Sequence, residues 1–176
     1  MVDRSTASEQ PLSLEAIQKY HEDAVTLLRY YFTEASSSLA RFFDSTPQEL
    51  TEELKQRIGE TGLRSILVTL AALEASFRVD YEIRCDRRFK DPLSRAFRSV
   101  YRKHKQHVSL DEDIFEAWKT YNPTSKRVIG ELRTAFRLRH WLAHGRYWHP
   151  KIGRNFDFES VYDLAAAVNE ELFADS

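Results

Sequence analysis

The sequence has a single cysteine, a single methionine, and only five glycines and five prolines among its 176 residues. Since Cys85 stands alone, no internal disulfide can form, and this cysteine usage favours a reducing, cytoplasmic setting. The N-terminal stretch MVDRSTASEQPLS lacks the apolar segment of a signal peptide. No apolar run reaches the roughly 18 residues that a membrane span needs. We therefore expect a cytoplasmic protein that makes no membrane contact.

Several common enzyme motifs are also missing. The chain contains no Walker A loop, no dinucleotide-binding glycine fingerprint, no C-x-x-C pair and no G-x-S-x-G elbow. These absences exclude the commonest nucleotide-dependent, redox and serine-hydrolase sites from a chain that is long enough for one self-supporting domain.

The apolar residues recur at helical spacing, and nearly every proline stands where a helix should begin. We predict an all-α, single-domain bundle of about six helices spanning residues 12–176, after a disordered tail at 1–11. The longest helix is predicted within residues 12–45, with the Ser36 to Ser38 run as a weak point. Thr46 to Glu49 form a capping box that opens a second helix, and Gly59 is predicted to end it, with Gly62 in a short connection.

The rest of the chain predicts four further helices and one loop. A central core helix should cover 63–84 and carry Glu74, and Asp91-Pro92 should open a helix reaching about residue 105. The remaining predictions are a short helix capped by Ser109 and ending near Tyr121, a helix from Asn122-Pro123 to His144 with Gly145 after it, a loop or small hairpin over Arg146 to Phe156, and a last helix capped by Asp157.

Charge is unevenly distributed although the net charge is only -1. Residues 84–107, here called the basic segment, contain nine basic and two acidic residues, whereas residues 155–176 contain six acids and no lysine or arginine. A basic surface of this kind can bind RNA phosphates, or it can be an ordinary solvated helix face. The candidate RNA-binding residues in the basic segment are Arg95, Arg98, Arg102 and Lys103.

The strongest concentration of chemistry is Arg-His-Trp-Leu-Ala-His at 139–144. Arg139 shares a helical face with Leu132 and Phe136, so its permanent charge needs a partner in the core or at an interface. Five residues along a helix separate Arg139 and His144 by about 140° and roughly 7.5 Å. Either the helix unwinds near Gly145, or a second subunit brings the two groups together.

This motif resembles the HEPN domains, small helical bundles associated with RNA cleavage and with bacterial toxin, antiviral and RNA-processing systems. Arg139, the polar His140 and His144 fit the family's Arg-polar-x3-His signature, and Leu-Ala-Ala-Leu-Glu-Ala at 70–75 and the aromatic loop after His144 are similar too. The resemblance covers roughly residues 13–173 in layout.

The resemblance implies a homodimeric endoribonuclease of a defence, stress or toxin–antitoxin system, possessing no cofactor, in which the RNA 2′-hydroxyl attacks its own phosphate where two subunits meet. His144 would be the general acid or base and Arg139 the phosphate clamp. His140 and Glu74 would orient or tune them, and Arg137 would be a weaker substitute for Arg139. A neutralising antitoxin or partner protein would be expected as well.

Other interpretations stay open. His140 and His144 have the i,i+4 spacing of a helical metal pair, with His149 as a third ligand. The same domain could instead be a non-catalytic HEPN module that senses RNA or binds a protein. The cationic residues could also do no more than stabilise a helix C-terminus. Tyr147 and Trp148 could stack on RNA bases, or they could belong to the core.

Overall fold

The computed structural model of the chain describes residues 12–104 and 107–173. Within that part the protein is all-α, with six helices and no strand, as predicted. The predicted tail at 1–11 lies outside the described residues. The helices are α1 (Leu14–Thr33), α2 (Pro47–Asp86), α3 (Pro92–His104), α4 (Glu116–Tyr121), α5 (Lys126–Ala143) and α6 (Phe158–Val168).

The first helix is shorter than predicted. Ser13 caps α1 by accepting a hydrogen bond from the Ala16 amide, but the helix ends at Thr33. The serine run forms a 3-10 turn, and a second such turn follows at Ala40–Phe42. Because the chain turns here, Phe32 and Phe42 meet with ring centroids 5.2 Å apart. The prediction of the longest helix within residues 12–45 is therefore wrong.

The longest helix is instead α2, with 40 residues. The predicted capping box is confirmed, since Thr46 accepts from the Glu49 amide and Glu49 accepts from the Thr46 amide. The predicted end at Gly59 and the connection at Gly62 are wrong, because the helix runs through both. A glycine inside a helix costs only about 0.5–1 kcal/mol relative to alanine, which packing along the rest of α2 overrides.

The second half of α2 is the central core helix, as predicted. Leu70 and Phe77 are fully buried, and α3, α5 and α6 pack around them. Phe77 meets Phe115 edge to face at 5.0 Å. Each surrounding helix contributes residues with no exposed surface, including Phe97 from α3, Ile129 and Leu132 from α5, and Val161 from α6.

Two turns shift the boundaries of the next elements. Ser109 accepts from the Glu112 amide as predicted, but its own amide donates to Asp113, because the chain from Leu110 to Phe115 is a π-helical turn. Pro123–Ser125 forms a 3-10 turn, so α5 begins at Lys126. These turns place Ser109 and Asp111 beside the middle of α5.

The end of α5 is a Schellman motif. His144 is the C-cap, Gly145 has φ +77°, and the Arg146 amide donates to the Trp141 carbonyl at 3.1 Å. The predicted role of Gly145 is thus confirmed. The following segment up to Asp157 is a loop without a hairpin, and Asp157 caps α6 in a capping box with Ser160.

Candidate functional site

A cleft of about 770 Å³ lies between the middle of α2, the turn at 109–115, the second half of α5 and the loop at 148–152. Four cationic side chains and two carboxylates line it, together with His140, His149 and a group of apolar side chains. The charged residues are Arg133, Arg137, Arg139, Lys151, Glu74 and Asp111, and the apolar ones are Leu110, Phe115, Phe136, Trp148, Pro150 and Ile152.

Arg139 is held in the cleft by Glu74 of α2. Its Nη2 lies 3.1 Å from Glu74 Oε2, and its side chain is 34% exposed. The Nε of Arg139 is buried and has no hydrogen-bond partner among the described protein atoms. The partner that the sequence requires for Arg139 is therefore a residue of the same chain, and the guanidinium keeps unused donors.

Arg78 fixes the carboxylate that receives Arg139. Its Nε and Nη2 donate to Glu74 Oε1 at 2.9 and 2.7 Å, so each Glu74 oxygen faces a different arginine. Glu74 is only 20% exposed. Arg78, Glu74 and Arg139 thus form a chain of ion pairs that links α2 to α5, here called the arginine relay. The sequence predicted Glu74 as a supporting residue. Arg78 was not predicted, although its i,i+4 spacing from Glu74 in a helix is a signal for an ion pair.

His140 and His144 lie on the exposed side of α5 with ring centroids 4.3 Å apart. The Trp148 ring is close to both, at 5.7 Å from His140 and 6.4 Å from His144. Trp141 fixes the loop behind them, because its Nε1 donates to the Trp148 carbonyl at 2.6 Å. The two imidazoles and Trp148 therefore form one cluster at the edge of the cleft, here called the histidine cluster.

The structure brings Arg139 and His140 into the same cleft, but His144 does not line it. Helix α5 continues regularly to Ala143, so it does not unwind between Arg139 and His144. By helical geometry His140 lies between them around the axis, about 100° from Arg139 and about 40° from His144. His140 is thus the residue that joins the cleft to the histidine cluster.

The other cations of the cleft differ in how far acidic groups neutralise them. Arg133 pairs with Asp111 at 2.6 Å and with Glu116 at 2.9 Å. Within the described part of the chain, the hydrogen-bond partner of the Arg137 guanidinium is the Thr134 hydroxyl, at 3.2 Å. Among the residues that the structure describes, no acid lies within ion-pair distance of Arg137 or Lys151.

Sequence reasoning missed three of the charged cleft residues, Arg133, Asp111 and Lys151. Arg133 precedes the predicted residues Arg137 and His140 by four and seven positions on α5, and this i, i+4, i+7 spacing is a signal for one shared face. Asp111 and Lys151 carry no such signal, because distant segments of the chain bring them to the cleft.

The predicted aromatic residues have different environments. Tyr147 is 81% exposed and outside the cleft, whereas Trp148 is half-buried and lines it. Their rings meet at 4.5 Å. The structure therefore does not place Tyr147 in the core, and of these two aromatic residues it is Trp148 that lines the cleft.

The basic segment lies elsewhere. Arg95 and Arg98 donate to the carbonyls of Lys90 and Arg84, and Arg102 and Lys103 are exposed on the last turn of α3. None of the four predicted RNA-binding residues lines the cleft. If the basic segment contacts RNA, it does so as a separate surface.

The alternative of a metal site finds no support in the arrangement of side chains. Within residues 12–104 and 107–173, no group of three or more His, Cys, Asp and Glu residues is placed to hold a metal ion. That includes the proposed set of His140, His144 and His149. In the same part of the chain, no helix has the length and apolarity needed to cross a bilayer.

Comparison with known proteins identifies no relative. No protein-family profile, no curated protein and no solved structure matches the chain. The HEPN resemblance therefore stays a prediction from the motif and the helical layout.

Proposed function

We propose that the protein binds RNA at the cleft and cleaves it through the histidine cluster, as a HEPN-like endoribonuclease. One observation carries the proposal: two exposed imidazoles in ring contact stand at the edge of a cleft that four cationic side chains line. Imidazoles transfer protons near neutral pH, and cations stabilise the charge that develops on a phosphate under attack.

The proposed reaction needs one proton acceptor and one proton donor. The RNA 2′-hydroxyl loses its proton to one imidazole and attacks the adjacent phosphorus. The bond from phosphorus to the 5′-oxygen then breaks, and a protonated imidazole supplies the proton to that oxygen. The products are a 2′,3′-cyclic phosphate and a free 5′-hydroxyl. His144 carries the main proton transfer, and His140, which contacts it, assists or positions it.

In this proposal Arg139 stabilises the pentacoordinate phosphorane, and the arginine relay holds its guanidinium in place. Arg139 and His144 of one chain lie on different faces of α5. We therefore propose that a second copy of the chain completes the site, as the HEPN resemblance implies. The same resemblance suggests a role in defence, stress or a toxin–antitoxin pair, with a neutralising partner protein.

The test is cleavage of total RNA by the purified protein in the presence of EDTA. His144→Ala should lower the rate by about 10²-fold or more, and His140→Ala should have a smaller effect. The variant that carries both His140→Ala and His144→Ala should cleave RNA little more slowly than His144→Ala alone, because the two residues act as a unit. Lys126→Ala is the control, since Lys126 is exposed at the far end of α5 and lies outside both the cleft and the basic segment.

Each alternative gives a different pattern. RNA binding without cleavage would replace the enzyme with a non-catalytic RNA-binding module. Cleavage that EDTA abolishes, with His140 and His144 equally essential, would point to a metal site. Cleavage that is unchanged in both histidine variants would show that the histidine cluster has no catalytic role.

A further inference from the structure

We propose that the cleft is a nucleotide subsite, in which Arg137 and Lys151 bind a phosphate and an apolar wall formed by Phe136 and Ile152 receives the base. The inference rests on the proposed function, because it names the part of the RNA that the cleft takes. It assigns a role to Lys151, which no sequence motif includes, and a role of its own to Arg137.

The size of the cleft favours a whole nucleotide over a lone phosphate. Its volume of about 770 Å³ falls within the roughly 300–1,000 Å³ of pockets that enclose small organic ligands. Such a space has room for a base, a sugar and a phosphate together. Its lining complements the two ends of a nucleotide, because cations can face the phosphate and an apolar wall can face the base.

The state of the cations indicates where the phosphate binds. Arg133 pairs with two carboxylates of the chain, so an incoming anion would have to compete with both. Arg139 shares the single carboxylate of Glu74 with Arg78, so one negative charge faces two guanidinium groups and Arg139 keeps positive charge for the reacting phosphate. Arg137 and Lys151 are exposed, and the described part of the chain offers neither of them an acidic partner within reach. They come from different walls of the same cleft, one from α5 and one from the loop, and we assign one phosphate to the pair, because charge-assisted contacts from both side chains would hold it.

The apolar wall is held in place before any ligand arrives. Phe136 is half-buried and meets Phe115 at 5.5 Å, edge to face. Ile152 is half-buried in the loop at 148–152. Trp141 anchors the start of this loop by donating a hydrogen bond to the Trp148 carbonyl. A base can stack on such a wall only when it is unpaired and out of a duplex, which favours single-stranded RNA.

The subsite adjoins the histidine cluster. Arg137 precedes His140 by three residues on α5, which places the two about 60° apart around the helix and roughly 4.5 Å apart along it. A phosphate bound to Arg137 would thus lie next to the phosphodiester that reacts at His140. We assign the Arg137 phosphate to the nucleotide adjacent to the reacting phosphodiester, and Arg139 contacts the reacting phosphate itself.

The experiment is calorimetric titration of the full chain with adenosine 3′-monophosphate, with adenosine and with inorganic phosphate. None of these probes contains an internucleotide bond, so binding does not require cleavage. The nucleotide should bind more tightly than either of its parts. Arg137→Ala and Lys151→Ala should each weaken nucleotide binding by about tenfold, which is the effect expected for one charge-assisted contact.

One further variant tests the contact with the base separately from the contact with the phosphate, and another serves as a control. Phe136→Leu keeps an apolar side chain but removes the ring, so it should weaken the nucleotide and leave phosphate binding unchanged. Lys126→Ala removes an exposed lysine at the far end of α5 and should change neither. Circular dichroism of each variant checks that the helices remain folded.

The outcomes separate this inference from the proposed function. Nucleotide binding with the expected variant effects, but without RNA cleavage, would support the subsite and overturn the proposed enzyme. RNA cleavage without detectable nucleotide binding at millimolar concentration would overturn the subsite. Nucleotide binding that is equal in wild type, Arg137→Ala and Lys151→Ala would overturn it too, because the phosphate would bind elsewhere.

Discussion

The arginine relay makes Glu74 the most informative residue to change. Glu74→Gln keeps the size and shape of the side chain but removes its charge. The carboxylate receives Arg78 on one oxygen and Arg139 on the other. A glutamine amide has a single oxygen, so its NH₂ group would face the donors of one arginine. We expect Arg139 to lose its fixed position, since the cross-helix contact is the longer of the two.

The size of the effect follows from burial. A hydrogen bond to a charged group contributes about 1.5–3 kcal/mol when it is shielded from water, and an exposed ion pair about 0–1 kcal/mol. Glu74 is 20% exposed, but Arg78 and Arg139 are 45% and 34% exposed, which moves the value toward the lower range. Glu74→Gln should thus lower the free energy of unfolding by about 1 kcal/mol, or about 2–4 °C in melting temperature.

Catalysis should respond more strongly than stability. A catalytic group that is misplaced by about 1 Å can cost up to about 10²-fold in rate, so we expect RNA cleavage to fall by roughly ten- to a hundredfold. Urea unfolding and a cleavage assay on the same preparation measure the two effects.

Glu131 provides a matched control, because it also receives two arginines, Arg127 at 2.9 Å and Arg154 at 3.7 Å. It is more exposed than Glu74 and does not line the cleft, so Glu131→Gln should cost less than about 0.5 kcal/mol and leave cleavage unchanged. If Glu74→Gln behaved like Glu131→Gln in both assays, the reasoning about the relay would be refuted.

Three other predictions concern the rest of the molecule. Gly59→Ala and Gly62→Ala should each raise the free energy of unfolding by about 0.5–1 kcal/mol, because an added Cβ meets nothing within 4 Å. Gly145→Ala should lower the free energy of unfolding by about 1–2 kcal/mol, because φ at this position is +77°. Urea unfolding measures both effects. The hydrogen bond from Arg146 lowers the pKa of Glu60, so the stabilisation by this pair is present above the ordinary value of 4.5 and is lost as the pH falls below it. Glu60→Gln should therefore reduce the loss of stability on acidification, and an unchanged pH profile would contradict this. Light scattering at tens of micromolar should give the mass of a dimer, and a clean monomer would contradict the composite site.

Local chemistry allowed much of the fold to be predicted. The caps at Thr46, Ser109 and Asp157 are read from neighbouring residues, and the structure confirms all three as helix starts. The failure at Gly59 has a physical cause. Glycine weakens a helix without forbidding it, and packing elsewhere along α2 decides whether the helix continues. The end of α1 depended in a similar way on Phe32 meeting Phe42, a contact that spacing alone does not reveal.

The candidate site was predictable only where it follows the periodicity of α5. Arg139, His140 and His144 could be named from their spacing, and so could the need of Arg139 for a partner. That partner is Glu74, which lies 65 residues earlier in the chain. The resemblance predicted Glu74 as a supporting residue, but nothing in the sequence paired it with Arg139. Lys151 could not be predicted, because the position of a residue in a loop depends on the packing of distant segments.

The length of α2 has a consequence for how the protein opens. At about 1.5 Å per residue the helix is roughly 60 Å long, yet its first buried side chain is Ile66. The first half of α2 runs beside α1, where Arg57 lies over the Phe32 ring and Ser65 hydrogen-bonds with His21, whereas the turns from Ile66 to Tyr81 lie in the core. Amide hydrogen exchange within this one helix should therefore have two regimes. Amides near its start exchange through local opening, and amides around Leu73 exchange only when the whole domain unfolds. Glu74 belongs to the second group, so the relay is anchored in the slowest-exchanging part of the molecule.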